Sequence, residues 1–348
     1  MHWTIAAPFI DKSNIHTAKW LVPYVPGSYH TFDIVPRPQK LANWHHRHSQ
    51  FTSVSEWLVY WEHGQQTLQA AKSGGVITVF PQLAAMIGTQ AKLRGQRIPI
   101  VAWLFNVGTC SLGIRRWLAQ TSLQDIDYFV VHTRREIEIY HQWLGIAKER
   151  FVFVPYQVPA IPITCSEDRT NPFIAVLGSA HRDFATLFTA VEQTKTPTVV
   201  VSGKRAIAGL SIPSHVTTLF DIQRHQCLEI AQKAIINVIP LHTHPNITAA
   251  GQVTLVEAMR MGRAIIASKC NGIEDYITHG ENGWLVEPNS VDALAAAIQE
   301  LWHNPELRDR LGQSAYDYAT KYCSDEAAGQ ALAQILDQVA NNKLHAVL

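Results

Sequence analysis

Short apolar runs alternate with longer stretches of helical spacing along most of the chain. Trp3 to Ala7, Gly75 to Phe80, Ile98 to Phe105, Tyr128 to Val131 and Arg150 to Val154 are apolar without strict alternation, as strands covered on both faces of a parallel sheet are. Between them, QLAAMIGTQAKLRG (82–95) and RREIEIYHQWLG (134–145) are apolar on one helical face, and each closes on a glycine suited to a helix C-terminus. The rhythm stops at PYQVPAIPITCSEDRTNP (155–172), whose four prolines leave no room for a helix or an inner strand. It resumes with strands expected at Phe173 to Leu177, Thr198 to Ser202, Val216 to Phe220, Ala234 to Pro240, Ala264 to Ser268 and Gly283 to Val286. The pattern predicts an α/β protein of two Rossmann-like, doubly wound parallel-sheet domains, 1–158 and 173–322, joined by a linker at 159–172. A last helix over 325–342 carries a stripe of Ala328, Leu332, Ile335, Leu336 and Val339 that needs a docking surface, and a return to the first domain would supply one.

Composition narrows the class of partner. A chain of 348 residues, 47% hydrophobic, exceeds what one core usually covers. Its net charge of +1, with 16% charged residues and no long basic run, argues against an extended nucleic-acid footprint. The five cysteines are scattered and form no CxxC pair, so neither a disulfide framework nor a zinc site is expected, and a reducing cytosol fits. MHWTIAAPFIDKSN lacks a basic n-region and a sustained apolar core, and no window approaches the ~18 apolar residues of a membrane span. The expected location is cytoplasmic, at most peripheral on the inner face of a membrane.

The chemistry concentrates in AAGQVTLVEAMRMGRAIIAS (249–268). A helix opening at Gly251, Gln252 and Val253 presents unpaired backbone N–H groups and a positive dipole end, and glycine permits close approach; a diphosphate fits there. Glu257, four residues beyond Val253, lies on nearly the same face, where its two oxygens can accept both hydroxyls of a ribose. The bland alternative is an acidic residue favoured in an early helical turn by the dipole.

This motif, followed by NGIEDYITHGENGWLVEPNSVDALAAAI (271–298), resembles the C-terminal half of the family 4 retaining glycosyltransferases, most clearly over 173–320. LGSAHRDFATL (177–187), INVIPL (236–241), DIDYFVVHT (125–133) and FVFVPYQV (151–158) add weaker matches, and the first hundred residues match poorly. The resemblance implies a GT-B fold, two Rossmann-like domains facing a central cleft, and a nucleoside-diphosphate sugar (UDP or GDP) as co-substrate without a resident cofactor or metal. It implies donor-binding roles for Gly178, Gly251, Gln252, Val253, Glu257 and Arg205, and catalytic roles for Arg182, Lys204 and Asn106. The family pattern pairs two glutamates eight positions apart, but position 249 is alanine. The contact to the donor sugar is therefore in question, with Gln252 or the neighbouring AsnIleThr (246–248) as substitutes.

Arg182, in the turn after the first strand of the second domain, is the expected phosphate clamp; Lys204 and Arg205 in SGKRA (202–206) either reach the same phosphates or form a solvated basic turn. Asn106, ending the strand IVAWLF, is either a polar group near the sugar or a strand cap. PRPQKLANWHHRHSQF (36–51) gathers Trp44, His45, His46, Arg47 and His48, but consecutive histidines lack ligand spacing and no metal is expected. A solvated loop near the acceptor, or a surface grazing anionic lipid headgroups through Trp44 and Arg47, are the alternatives. His242 and His244 read as cleft or loop residues.

The expected activity is therefore hexosyl transfer with retention, from a nucleotide sugar to a saccharide or lipid-linked acceptor in polysaccharide or glycolipid biosynthesis. A GT-B nucleotide-sugar epimerase and a non-catalytic nucleotide-sugar-binding scaffold are the alternatives.

Overall fold

The computed structural model describes residues 1–17, 19–38, 52–72, 74–244 and 247–345. Most of the histidine-rich stretch, including Trp44 and Arg47, and also Asn246, lies outside them. The chain forms two compact units, Met1–Val154 with the C-terminal helix from Ala328 onward, and Pro155–Ala327.

The first unit runs β1 (His2–Ala6), β2 (Thr31–Val35), α1 (Val54–Ala71), β3 (Gly75–Val79), α2 (Pro81–Leu93), β4 (Ile100–Trp103), α3 (Ile114–Leu123), β5 (Tyr128–Val131), α4 (Arg134–Leu144) and β6 (Phe151–Phe153). All pairings are parallel, in the order β2-β1-β3-β4-β5-β6. Alternate residues of the same strands enter two cores. Ala6, Val76, Ile100 and Ala102 pack with α1, α2 and α4, while Trp3, Ile5, Ile77, Val101 and Trp103 pack with the other cluster. Double coverage of this kind is why these strands are apolar at every position.

Strand β2 and helices α1 and α3 go beyond the elements read from the sequence pattern. Strand β2 is a partly exposed edge strand interrupted by Asp33, so its apolar run is short. Helix α1 does carry a signature: Ser53 caps it by accepting from the Glu56 N–H, and the Glu56 carboxylate accepts from the Ser53 N–H.

The second unit runs β7 (Ile174–Leu177), α5 (Phe184–Thr194), β8 (Thr198–Val201), β9 (Val216–Leu219), α6 (Arg224–Lys233), β10 (Ile236–Ile239), α7 (Gln252–Arg260), β11 (Ile265–Ser268), β12 (Trp284–Val286), α8 (Val291–His303) and α9 (Pro305–Tyr322). Its parallel sheet has the order β12-β11-β10-β7-β8-β9. The chain steps outward from β7 to β9, then returns to the other side of β7 with β10. That reversal opens a crevice beyond the carboxyl ends of β7 and β10.

The segment 155–172 differs from the expected linker, because it is strapped to the second unit. Tyr156 donates its N–H to the Tyr276 hydroxyl at 2.9 Å, and Val158 donates to the Cys323 carbonyl at 2.9 Å. The Gln232 side-chain oxygen accepts from the N–H groups of Thr164 and Cys165 at 2.8 and 3.0 Å. Prolines forbid a regular element here, but the backbone donors still need partners, and side chains and a carbonyl of the second unit supply them. Helix α10 (Asp325–His345) carries the unit boundary after Ala327. Its stripe of Ala328, Leu332, Ile335, Leu336 and Val339 is buried on the Trp3, Ile5 and Trp103 face of the first sheet. No described helix is long and apolar enough to cross a membrane.

Candidate active site

The crevice of the second unit holds a cavity of about 500 Å³. The ends of β7 and β8 contribute Gly178, Ser179, Ser202 and Gly203; helix α6 contributes Arg224 and Cys227; helix α7 contributes Val253, Thr254 and Glu257.

Helix α7 begins at Gly251, whose φ of +93° only glycine adopts without strain. A Cβ there would stand 3.1 Å from Leu241, 3.2 Å from Ile239 and 3.3 Å from Ile273, so the helix start is seated on the ends of the sheet. The first intrahelical bond to this turn is Leu255 N–H to Gly251 O, which leaves the N–H groups of Gln252, Val253 and Thr254 open at the helix end. The Gln252 side chain turns inward and donates to the Asn271 carbonyl at 2.8 Å. Its amide nitrogen is therefore engaged within the protein. Ala249 is itself buried, as are Ile247 and Thr248.

Glu257 opens on the cavity, and its carboxylate accepts from Arg224 at 2.6 Å. The Arg224 side chain is 67% exposed and that of Glu257 16%. The anion thus lies in the wall while its partner is a solvent-exposed cation. Arg224 and Thr254 were not foreseen. Arg224 is an ordinary helix N-terminal residue in the sequence, and only folding brings it beside Glu257.

Arg182 is buried behind the cavity wall. The strained turn that carries it includes His181 at φ +58° and Gly178 at φ +96°. Its guanidinium donates to Leu177 O at 3.1 Å, Ala180 O at 3.1 Å and Thr254 Oγ1 at 2.7 Å, and burial lowers its pKa to about 10. Three of its five N–H donors are thus committed, and the Nη2 that holds Thr254 also faces Gly178, where a Cβ would lie 2.9 Å away. The Thr254 hydroxyl donates to Gly251 O at 3.0 Å, linking the arginine to the start of α7.

Lys204 and Arg205 do not join this cluster. Both are exposed in a short turn, and the Lys204 ammonium sits 5.8 Å over the Phe220 ring. The basic turn follows a strand end as expected, but the chain leaves the cavity after Gly203. Asn106 belongs to the first unit, where it is exposed and accepts from the Gly108 N–H at 2.7 Å. It forms a local turn rather than a buried strand cap. Among the described residues no three His, Cys, Asp or Glu side chains converge as a metal site would require.

Two parallel six-stranded sheets flanked by helices, with an open helix end and a carboxylate at the switch point of the second, define a GT-B protein. The solved structures agree on the fold. Sucrose-phosphate synthase from Thermosynechococcus elongatus superposes with a TM-score of 0.68 at 18% identity, covering 98% of this chain and 99% of that one. HepE from Anabaena, in complex with UDP, gives 0.66 at 15% identity, covering 97% and 100%. In sequence, residues 179–318 match the family model described as Glycosyl transferases group 1. Alpha-D-kanosaminyltransferase from Streptomyces kanamyceticus is 32% identical over 87 residues, 25% of this chain and 22% of that protein. D-inositol 3-phosphate glycosyltransferase from Corynebacterium glutamicum is 28% identical over 100 residues, 29% and 24%. The chain thus resembles the GT-B glycosyltransferases, and the matched segments span about a quarter or less of these curated relatives.

Proposed function

We propose that the protein transfers a hexosyl group, with retention and without a metal, from a UDP or GDP sugar to a saccharide or lipid-linked acceptor. The observation that carries this reading is the single cavity where the open end of α7, Gly178 and Glu257 meet. The diphosphate lies against the N–H groups of Gln252, Val253 and Thr254, with the positive end of the helix beneath it. Glu257 accepts the ribose hydroxyls as Arg224 swings into solvent. Arg182, held cationic behind Thr254 and Gly178, stabilises negative charge as the glycosidic bond breaks, in a setting with little water to screen it. The leaving phosphate oxygen takes the proton of the incoming hydroxyl on the same face, so no protein base is needed. That solved structures of HepE hold UDP and UDP-glucose supports a nucleotide-sugar donor here.

A non-catalytic nucleotide-sugar-binding scaffold is favoured by one observation, the buried Ala249 where the resembled family has its second glutamate. Nucleotide release from a panel of UDP and GDP sugars, with and without membrane extract and in EDTA, decides between them. Release that needs an acceptor and survives EDTA supports transfer. Tight donor binding without release supports the scaffold, and release that returns only with magnesium or manganese refutes the metal-free reading.

A further inference from the structure

The turn after β10 carries an imidazole with a buried carboxylate behind it. Strand β10 runs outward to the crevice and α7 runs back from it; Leu241 ends against the start of the helix, where a Cβ on Gly251 would lie 3.1 Å from Leu241 Cδ1. His242 comes next, beyond the open helix end. Its backbone is pinned on both sides: the N–H donates to His181 O at 3.0 Å, and the carbonyl accepts from Asn271 Nδ2 at 2.8 Å. Arg182 and Leu241 form a bridge between the same two turns, and Asp183 donates its N–H to Pro240 O at 3.0 Å. The segments that follow β7 and β11 therefore fix His242 in place.

The His242 ring has an inner and an outer edge. Nδ1 faces the Asp183 carboxylate at 3.8 Å, and the Asp183 side chain is 4% exposed against 52% for His242. The other Asp183 oxygen accepts from the Thr186 N–H at 3.0 Å and caps α5, which holds the carboxylate in position. A buried anion on the Nδ1 side keeps the ring proton there and leaves Nε2, on the outer edge, as an acceptor. His181 and Arg182 from the turn after β7 and His244 from the same loop are the other titratable groups of this cluster; burial first, then Arg182, His242 and His244, lower the pKa of His181.

The positions match the order of groups along a nucleotide sugar. Glu257 lies six residues past Gly251, about 9 Å along the helix axis. A nucleoside diphosphate with its ribose at Glu257 and its phosphates on the N–H groups of Gln252, Val253 and Thr254 runs toward the start of α7. The sugar it carries then lies past that start, where His242 stands.

We propose that His242 Nε2 accepts a hydrogen bond from a hydroxyl of the donor sugar, with Asp183 as the residue that positions the ring. The proposal rests on the nucleotide-sugar reading of the cavity, and its test separates the two. Competition binding to the full chain compares UDP and GDP with UDP-glucose, UDP-galactose, UDP-N-acetylglucosamine and GDP-mannose. At least one conjugate is expected to bind about 2- to 10-fold tighter than its own nucleotide, the scale of one neutral hydrogen bond. His242→Ala should bring that ratio to about one while UDP and GDP bind as to wild type, which also shows that the variant is folded. His242→Gln, whose amide oxygen reaches the place of Nε2, should keep part of the ratio. Asp183→Asn, which can still cap α5, should lower it by about half. A His242→Ala chain that keeps the wild-type ratio overturns the assignment and leaves the nucleotide site standing, as does a wild-type chain that gains nothing from any of the sugars. A wild-type chain that binds neither UDP nor GDP overturns the nucleotide reading and this contact with it.

Discussion

Glu257→Gln is the most informative single change, because it removes a charge while keeping the side-chain shape. Among the described residues the carboxylate pairs with the charged side chain of Arg224 at 2.6 Å. That pair is largely solvent-side, so its loss should change unfolding free energy by less than about 1 kcal/mol. Binding should change more. Hydrogen bonds to a charged acceptor contribute about 1.5 to 3 kcal/mol, and on the proposed reading the carboxylate oxygens would receive the ribose hydroxyls. An affinity loss of roughly 10- to 150-fold follows, at about 1.4 kcal/mol per tenfold. Isothermal titration calorimetry with UDP and GDP measures it, and a thermal melt verifies that the variant is folded. A folded Glu257→Gln protein that binds both nucleotides as wild type does would refute the ribose assignment, leaving Glu257 as a favourable residue of an early helical turn.

Gly178→Ala should push the Arg182 guanidinium off Thr254, since the new Cβ would sit 2.9 Å from Nη2 at a φ of +96°; nucleotide affinity by calorimetry should fall, and unchanged affinity would remove Arg182 from the site. Because Ala249 offers the donor sugar no charged partner, free UDP or GDP should compete nearly as well as its sugar conjugate, the sugar adding only about 0.5 to 1.5 kcal/mol; a conjugate that binds a hundredfold tighter contradicts this. The first unit should soften in mild acid. Burial holds His63 and His132 neutral, with pKa values lowered to about 4, so the stability they contribute is complete above their unfolded value near 6.5 and is lost as pH falls toward 4, on the order of 3 kcal/mol each. Glu136 opposes them: burial raises its pKa to about 7, so its contribution is complete below 4.5 and is lost as pH rises toward 7. Glu136→Gln should therefore steepen the acid decline of the melting temperature, and a flatter decline would contradict the burial argument.

The strands and the two-domain rhythm were legible in sequence because each inner strand packs on both faces, and that demand leaves apolar residues at every position. The same logic exposed the stripe of α10, though only the packed chain shows it lying on the Trp3 and Trp103 face. The start of α7 was legible because Gly251 and the open N–H groups that follow it are local properties of the backbone. Edge strand β2 was missed because a half-exposed strand of five residues carries little periodicity. The strap at 155–172 looked like a linker because prolines report the absence of regular structure, whereas the side chain of Gln232 that anchors it lies far along the chain. Site membership beyond the helix itself was a tertiary outcome. Lys204 and Arg205 carry the right charge, but the chain turns away after Gly203, while Arg224, unremarkable in sequence, is carried onto Glu257 by the meeting of α6 and α7. Residue type and local spacing are fixed by the order of amino acids, but which charges share a cavity depends on the path of the backbone between them.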